Sequence, residues 1–398
     1  AYARLFRSHD LFQAPEAPVT FNVFNTRERA ARELLLDPEW GLATRHAPAC
    51  EEVAHYVVIG FGAAGQAVAL EAARLAHFDG LRRLRMTIVD DFCTERGSIG
   101  PADEARRQFL ARYPTFGPDP ASIDLLAHAK KDDPDKDAWH SRAYRPTCQQ
   151  ARREAPAIEY VVNAEFVDLP AEDPDLVQAL IDRFTADGDT PVRPAVIACF
   201  DDDGQSFRTA FRLKELFTTE AAGLQVPLFV YLPTEEGLAE LIDPSESTAA
   251  PLHAFGSQRR VTSYPQITRP AVQALARRFH ENYLACGGTG PTWDRLSYAF
   301  RLSNEDAAAH AAVKLRLAGY RWDLFGRGAG PQLAQLGNGT RPRCSGPRHT
   351  RRSKATVKAL IPASEADLSD HIDRLARVEH NRFVAERLLG GWRYEAVP

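Results

Sequence analysis

The chain has 398 residues, enough for two or three domains, and its formal net charge of -4 at pH 7 gives no global reason to expect nucleic-acid binding. No stretch approaches the roughly 18 consecutive apolar residues of a membrane span, and no signal-peptide pattern opens the sequence. The six cysteines form no C-x-x-C pair, which argues against a zinc site or a disulfide framework and favours a reducing, cytoplasmic setting.

Residues 1–50 are interpreted as a lead-in that packs on the domain after it. The stretch "VTFNVFN" at 19–25 is strand-like, and a helix is predicted from Thr26, which is placed at its N-cap. The sequence begins at Ala1 rather than at methionine, so we expect either a processed product or a piece of a longer protein.

A glycine-rich turn lies in "YVVIGFGAAGQAVAL", residues 56–70, between an apolar β-type run and helical sequence. Its glycines have the G-x-G-x-x-G spacing of dinucleotide-binding turns. The first permits a tight turn, the second lets the backbone approach a pyrophosphate, and the third lets the helix pack closely on the strand. We predict nucleotide contacts from Gly60, Phe61, Gly62, Ala63, Ala64 and Gly65. The alternative is a Rossmann fold whose site is empty or degenerate.

Carboxylates follow two of the other predicted strands. Asp90 ends "LRMTIVDD", where an acid accepts both hydroxyls of an adenosine ribose, and Asp91 takes that role if the strand ends one residue later. Such an acid favours NAD or ADP over NADP, because a 2′-phosphate would meet a carboxylate. Asp202, within the run Asp201–Asp203, is predicted to contact the second ribose or a cation. The alternative is a turn that caps the next helix.

Strands alternate with helices over residues 51–265, which predicts an α/β, doubly wound parallel sheet of Rossmann type. The polar, proline-containing residues 114–154 are interpreted as an excursion from it. Beyond about residue 265 the strand signals stop, and residues 285–398 are predicted to form a smaller, mainly α-helical domain. Further strands are predicted at 158–169, 194–200, 227–232 and 251–256.

The helical tail contains a faint internal repeat, in which a helix ends at a glycine followed by an aromatic residue: Gly319 with Tyr320, and Gly391 with Trp392. Glu379 is predicted to lie on an apolar helix face, and a buried carboxylate needs a basic partner or a ligand. An internal salt bridge to Arg382 or Arg387 is one possibility and a bound ligand is the other. The apolar face is made of Leu368, Ile372, Leu375 and Phe383.

Recognisable catalytic signatures are absent. None of the eleven tyrosines begins a Tyr-x-x-x-Lys pair, and G-x-S-x-G, H-E-x-x-H and G-x-x-x-x-G-K motifs do not occur. We therefore predict no catalytic residue and no metal site, and a nucleotide that is bound without being turned over. Two alternatives remain: an NAD(P)-dependent oxidoreductase with an unrecognised catalytic pair, and a scaffold with vestigial sites. The basic run at 341–358 is interpreted as a solvated linker.

Two stretches resemble known regulatory modules. The glycine turn, the acid after "MTIVD" and "AVIACFDDDGQSFRTAFRL" resemble the RCK or TrkA-N Rossmann domain, which regulates potassium channels and transporters by binding NAD(H), ATP, ADP or cations. The terminal "LARVEHNRFVAERLLGGWRY" resembles the ryanodine-receptor (RyR) repeat, and residues 293–319 look like a second, diverged copy. Phe383 stands where that repeat has Trp, and Glu395 where it has Gly.

The resemblances imply a cytosolic sensing region of a prokaryotic ion channel, placed at the inner face of the membrane, with a membrane portion outside this chain. They imply a homo-oligomer, either a dimer or a larger ring, and no nucleic-acid partner. A second nucleotide-type signal would bind the RyR region. The residues that match its motif, or neighbour it, are Glu379, His380, Arg382, Phe383, Trp392 and Tyr394.

Overall fold

A computed structural model describes most of the chain. The described residues are 24–48, 52–78, 83–92, 101–117, 144–146, 161–185, 191–220, 224–234, 236–242, 250–263, 271–318, 320–323, 332–335 and 365–394. Most of the predicted strand at 19–25, the basic run at 341–358 and the first repeat glycine, Gly319, lie outside them.

The described residues contain eleven strands. They are β1 (Val53–Ile59), β2 (Arg85–Asp90), β3 (Phe116–Gly117), β4 (Tyr144–Pro146), β5 (Val162–Asp168), β6 (Val192–Ala198), β7 (Leu228–Tyr231), β8 (Leu252–Phe255), β9 (Tyr320–Asp323), β10 (Gln332–Gln335) and β11 (Trp392–Tyr394).

Seven parallel strands form the central sheet, in the order β3-β5-β2-β1-β6-β7-β8. Without the edge strand β3, this is the Rossmann order 3-2-1-4-5-6. All seven residues of β1 are buried, because helices cover both faces of the sheet. The predicted doubly wound parallel sheet is confirmed.

Helices surround the sheet on both sides. They are α1 (Thr26–Leu36), α2 (Ala63–Leu75), α3 (Pro101–Arg112), α4 (Leu176–Thr185), α5 (Asp203–Glu220), α6 (Glu236–Glu240), α7 (Gln258–Val261), α8 (Ala271–Ala285), α9 (Tyr298–Ala309), α10 (Ala311–Leu317) and α11 (Glu365–Leu389). Of the described helices, none is long and apolar enough to cross a membrane.

Two apolar clusters fill the space between the sheet and its helices. One lies under α4 and α5 and includes Val57 of β1. The other lies under α1 and α2 and includes Val58, whose side chain points to the opposite face. Val313 of α10 and Leu388 of α11 belong to this second cluster, so the C-terminal helices share a core with the sheet.

Local details differ from the sequence expectations. Strands β9, β10 and β11 lie beyond residue 265, where no strand was predicted. Asn25 caps α1 by accepting the Arg27 N–H at 2.9 Å, so Thr26 is the first helical residue rather than the cap. The excursion at 114–154 contributes two short strands: β3 pairs with β5 at the sheet edge, and β4 pairs with β11 near the C-terminus. Short strands of this kind carry too few residues to show a period in the sequence.

Candidate functional site

The glycine turn lies where the strand order of the sheet reverses, between the carboxyl ends of β1 and β6. Open α/β sheets bind their ligands in this crevice. Gly60 has φ of +91°, a conformation that side-chain-bearing residues rarely adopt. A Cβ atom on Gly60 would also lie 3.0 Å from the Phe200 ring, so both the backbone conformation and the space require glycine here.

The second and third glycines bring the backbone of α2 close to β1. A Cβ on Gly65 would lie 2.1 Å from the Gly60 carbonyl oxygen, which explains why the third motif position has no side chain. Gly62 is the N-cap of α2, and the first intrahelical bond is from Gln66 N–H to Gly62 at 3.0 Å. The amides of Ala63 and Ala64 precede that bond and are oriented to receive an anion.

Phe61 and Asp90 fasten the turn to the neighbouring strand. The Phe61 N–H donates to Asp90 Oδ2 at 2.6 Å, and the Asp91 N–H donates to Asp90 Oδ1 at 2.8 Å. The Phe61 ring is fully buried, edge-on to Phe109 and Phe166. Burial raises the pKa of Asp90, and these two amide bonds oppose the rise. Asp90 therefore lies beside the turn, and Asp91 is exposed.

The three acids after β6 have separate environments. Asp202, the residue predicted for the site, accepts the Gln205 N–H at 2.6 Å and so caps the start of α5. Asp203 accepts both the N–H and the hydroxyl of Thr234. Of these three acids, Asp201 is the nearest to the turn: a Cβ on Gly62 would be 2.9 Å from its Oδ2. Asp202 therefore fits the alternative prediction of a turn that caps the next helix. Asp201 is the acid that lies beside the crevice.

Glu379 of α11 has basic partners within the protein. Its Oε2 accepts from Lys314 Nζ at 2.8 Å, and its Oε1 accepts from Arg382 at 2.8 Å and 3.0 Å. His310 Nδ1 lies 3.7 Å from Oε2, which is too long for a hydrogen bond. Burial opposes ionisation, but Arg382 and Lys314 together hold the pKa of Glu379 well below its usual range.

The predicted apolar face of α11 is only partly buried: Leu375 packs against the apolar cluster under α1 and α2. Ile372 is 54% exposed, and the Glu379 side chain is 33% exposed. The side chain of Leu368 lies outside the described ones. The buried face is instead that of Val378, Asn381, Arg382, Ala385, Leu388 and Leu389.

Arg382 and Arg387 lie among the residues predicted to form the second ligand site. Arg382 is 1% exposed and also donates to Glu386 Oε2 at 3.0 Å. The Arg387 guanidinium lies 4.7 Å from the Phe383 ring centre and 5.3 Å from that of Trp392. Aromatic rings attract cations in this way. The Arg387 guanidinium therefore lies against the two rings that were predicted to contact a ligand.

The other residues of the predicted second ligand site are His380 and Tyr394. His380 is half-buried, and burial lowers its pKa. Tyr394 pairs with Tyr144 through the backbone of β11 and β4, and its side chain lies outside the described ones. The predicted Gly391 C-cap is confirmed: Gly391 lies two residues after the end of α11 and has φ of +83°.

A buried ionic cluster was missed in the sequence. Glu71 of α2 is fully buried between two arginines. Arg32 Nε of α1 is 2.9 Å from Glu71 Oε2, and Arg74 Nη1 is 2.7 Å from Glu71 Oε1. Arg32 also reaches Asp306 Oδ1 of α9 at 3.1 Å. Glu71 interrupts the apolar run "AVALEAARL", and that interruption is the sequence signal that could have revealed it.

Comparison of the chain with protein-family models, with curated proteins and with solved structures gives no significant match. The resemblances to the RCK domain and to the RyR repeat therefore stay predictions.

Proposed function

We propose that this chain is a ligand-sensing regulatory protein that binds an adenine nucleotide or dinucleotide at the glycine turn and does not react with it. The observation that carries the proposal is the turn itself: Gly60 and Gly62 bring free helix amides to the crevice between β1 and β6. An anion is stabilised there by the amides and by the helix dipole. Asp90 lies on the adjacent strand end, where a ribose would extend.

Regulation requires that the ligand prefer one of two conformations. Helix α2 begins at the glycine turn, and two turns later its Glu71 joins the ionic cluster with Arg32 and Asp306. A ligand-dependent shift of α2 would therefore change contacts with α1 and α9. This connection offers a physical route from the nucleotide to the C-terminal helices.

The partner and the setting follow from the resemblances alone. By analogy with RCK domains, the chain would act as a homo-oligomer on the cytosolic side of an ion channel or transporter. The C-terminal helices would form the RyR-like region and transmit or receive a second signal. The internal partners of Glu379 favour transmission, because Lys314 and Arg382 already satisfy that carboxylate.

Isothermal titration calorimetry with NAD, ADP and NADP tests the nucleotide site. We expect binding of NAD or ADP, weaker binding of NADP, and loss of binding in Gly62→Val, because the side chain would fill the space that the phosphates need. Gly237→Val is the matched control, since a Cβ there meets nothing within 4 Å. Unchanged affinity in Gly62→Val, or tight NADP with weak NAD binding, would reject this assignment.

Turnover separates regulation from catalysis. The purified protein should leave NADH and NADPH unoxidised when incubated with aldehyde, ketone and quinone substrates. Steady consumption of the cofactor that disappears in Gly62→Val would replace the proposal with the oxidoreductase alternative.

A further inference from the structure

The Asp201 carboxylate faces the start of α2 in the ligand crevice. A Cβ atom on Gly62, the N-cap of α2, would lie 2.9 Å from Asp201 Oδ2, 3.3 Å from its Cγ and 3.6 Å from its Oδ1. The whole carboxylate therefore approaches the residue beside which the ligand phosphates would lie. Asp201 is exposed, and in the described part of the chain no hydrogen bond or ion pair joins its carboxylate to another residue.

The residues on either side of Asp201 are anchored. The Phe200 N–H donates to Ser206 Oγ at 3.1 Å. On the other side, Asp202 accepts the Gln205 N–H at 2.6 Å and so caps α5. Asp201 is therefore held in position by its neighbours while its own side chain stays available. A polar group that is positioned in advance binds a ligand at a smaller ordering cost.

A terminal phosphate group is a poor occupant of the place beside Asp201. Such a group carries a charge of about −1.5 to −2 at neutral pH. Like charges a few ångströms apart repel each other, and the repulsion grows where the protein excludes water. The phosphates inside a dinucleotide carry less charge, because each of them is esterified. Beyond them the dinucleotide continues into a second ribose, whose hydroxyl groups are hydrogen-bond donors.

Asp90 and Asp201 lie on opposite sides of the glycine turn. Strand β1 leads into the turn, and it pairs with β2 on one side and with β6 on the other. Asp90 ends β2, whereas Asp201 follows the end of β6. At about 4.8 Å between neighbouring strands, β2 and β6 are roughly 10 Å apart. A carboxylate, the free amides of α2 and a second carboxylate therefore follow one another along the strand ends.

We propose that the ligand of the glycine turn is a dinucleotide, with two riboses joined by a pyrophosphate, and that Asp201 accepts hydroxyl groups of the second ribose. This inference rests on the proposed nucleotide function. The pyrophosphate lies at the amides of Ala63 and Ala64, and the adenosine ribose lies at Asp90. Hydrogen bonds from hydroxyl groups to a carboxylate are charge-assisted and stronger than neutral ones. Asp201 thereby selects against ADP and ATP, which end in a phosphate at this place.

Isothermal titration calorimetry with ADP-ribose, ADP and ATP in EDTA tests the proposal. ADP-ribose has both riboses and the pyrophosphate but no nicotinamide, so it isolates the second ribose. We expect the wild type to bind ADP-ribose at least about tenfold more tightly than ADP, because of the charge-assisted hydrogen bonds. Asp201→Asn should weaken ADP-ribose binding about tenfold. It should leave ADP and ATP binding unchanged or tighter, because the repulsion is removed.

Asp202→Asn is the matched control. It makes the same change of charge one residue along the chain, and asparagine also caps helices, so neither affinity should change. Equal affinity of the wild type for ADP-ribose and ADP, or an unaltered preference in Asp201→Asn, would overturn the inference and leave the nucleotide site in place. If none of the three ligands binds the wild type, the nucleotide site itself is rejected, and this inference with it.

Repeating the titrations in magnesium chloride separates ribose binding from a cation held by Asp201. Carboxylates bind magnesium together with phosphate oxygens, which would reverse the expected selectivity. We expect ADP-ribose to remain the tighter ligand. The proposal is overturned if magnesium makes ADP the tighter ligand and Asp201→Asn removes that gain.

Discussion

At the scale of single residues, Glu379 shows how a carboxylate can be held by internal partners. Lys314 and Arg382 approach both of its oxygens, and these two bases come from different helices. A side chain with this many donors is ionised and oriented without any ligand. Its role in the described structure is to join α10 to α11.

Replacing Glu379 by Gln should therefore lower the free energy of unfolding of the ligand-free protein. We expect a loss of about 1–3 kcal/mol, below the ~3–5 kcal/mol of a fully buried pair because the side chain is 33% exposed. Urea unfolding at pH 7 measures it. Glu281→Gln, which breaks the exposed pair with Arg277, is the control and should cost less than about 1 kcal/mol. No loss in Glu379→Gln would restore the bound ligand as the missing partner.

The same variant has a pH signature. The folded protein lowers the pKa of Glu379 below its ordinary value of about 4.5, so the stabilisation is present above that pH. It is lost as the pH falls towards the folded-state pKa. The stability difference between wild type and Glu379→Gln should therefore shrink below about pH 4.5.

At the scale of helices, the ionic cluster between α1, α2 and α9 contains two unequal acids. Glu71 lies between two arginines, which lower its pKa against the effect of burial. Asp306 has one arginine partner at 3.1 Å, and its Oδ2 is buried without a hydrogen bond to any described group. Burial raises the pKa of Asp306 to about 7; Arg74 and Arg32 oppose this rise, and Glu71 and Glu386 add to it.

This difference between the two acids predicts that their isosteric variants change the free energy of unfolding by different amounts. Glu71→Gln should cost roughly 3–5 kcal/mol at pH 7, because it leaves the guanidinium groups of Arg32 and Arg74 without their shared partner. Asp306→Asn should cost less than about 1 kcal/mol or stabilise the protein. Chemical denaturation of both variants measures the difference. Equal losses would show that both carboxylates are needed to balance the arginines.

The pH dependence of Asp306 has the reverse sign from that of Glu379. Its folded-state pKa lies above its unfolded value of 3.8, so the folded state binds a proton more tightly between about pH 4 and 7. Its contribution to stability is therefore full below pH 4 and lost as the pH rises through 7. Asp306→Asn should flatten this part of the stability curve, whereas it should leave the region below pH 4 unchanged.

At the scale of the whole molecule, the C-terminal helices and the sheet share one apolar core. Val313 and Leu388 pack in the same cluster as Val58 of β1. Beside this core, the ionic cluster connects the helix that follows the glycine turn with α9. The helix that follows the glycine turn and the C-terminal helices are therefore positioned to respond together.

Hydrogen exchange should show this connection. Saturating NAD or ADP should slow amide exchange at the start of α2 and also in the buried part of α11, residues 378–389, because stabilising α2 favours its packed neighbours. Mass spectrometry after timed labelling measures both segments. Glu71→Gln should keep protection at the turn while reducing it in α11. Protection limited to the turn in the wild type would contradict the proposed route of regulation.

The sheet could be predicted from the sequence because its determinants are local. Apolar runs such as "VAHYVVI" are long enough to identify buried strands, and the helices between them require parallel pairing. The edge strand β3, with two residues, and the pairing of β4 with β11 depend on contacts between distant segments. Neither leaves a periodic pattern in the sequence.

By itself, the sequence determined the glycine turn and the acid beside it. Gly60, Gly65 and Asp90 are dictated by backbone geometry within a single βαβ unit, where spacing along the chain sets distance in space. Only the tertiary structure decided that Asp201 rather than Asp202 faces the turn, and that the Arg387 guanidinium lies against the rings of Phe383 and Trp392. Those arrangements depend on side-chain direction and on helix packing across the sheet, and neither is encoded in the spacing of residues along the chain.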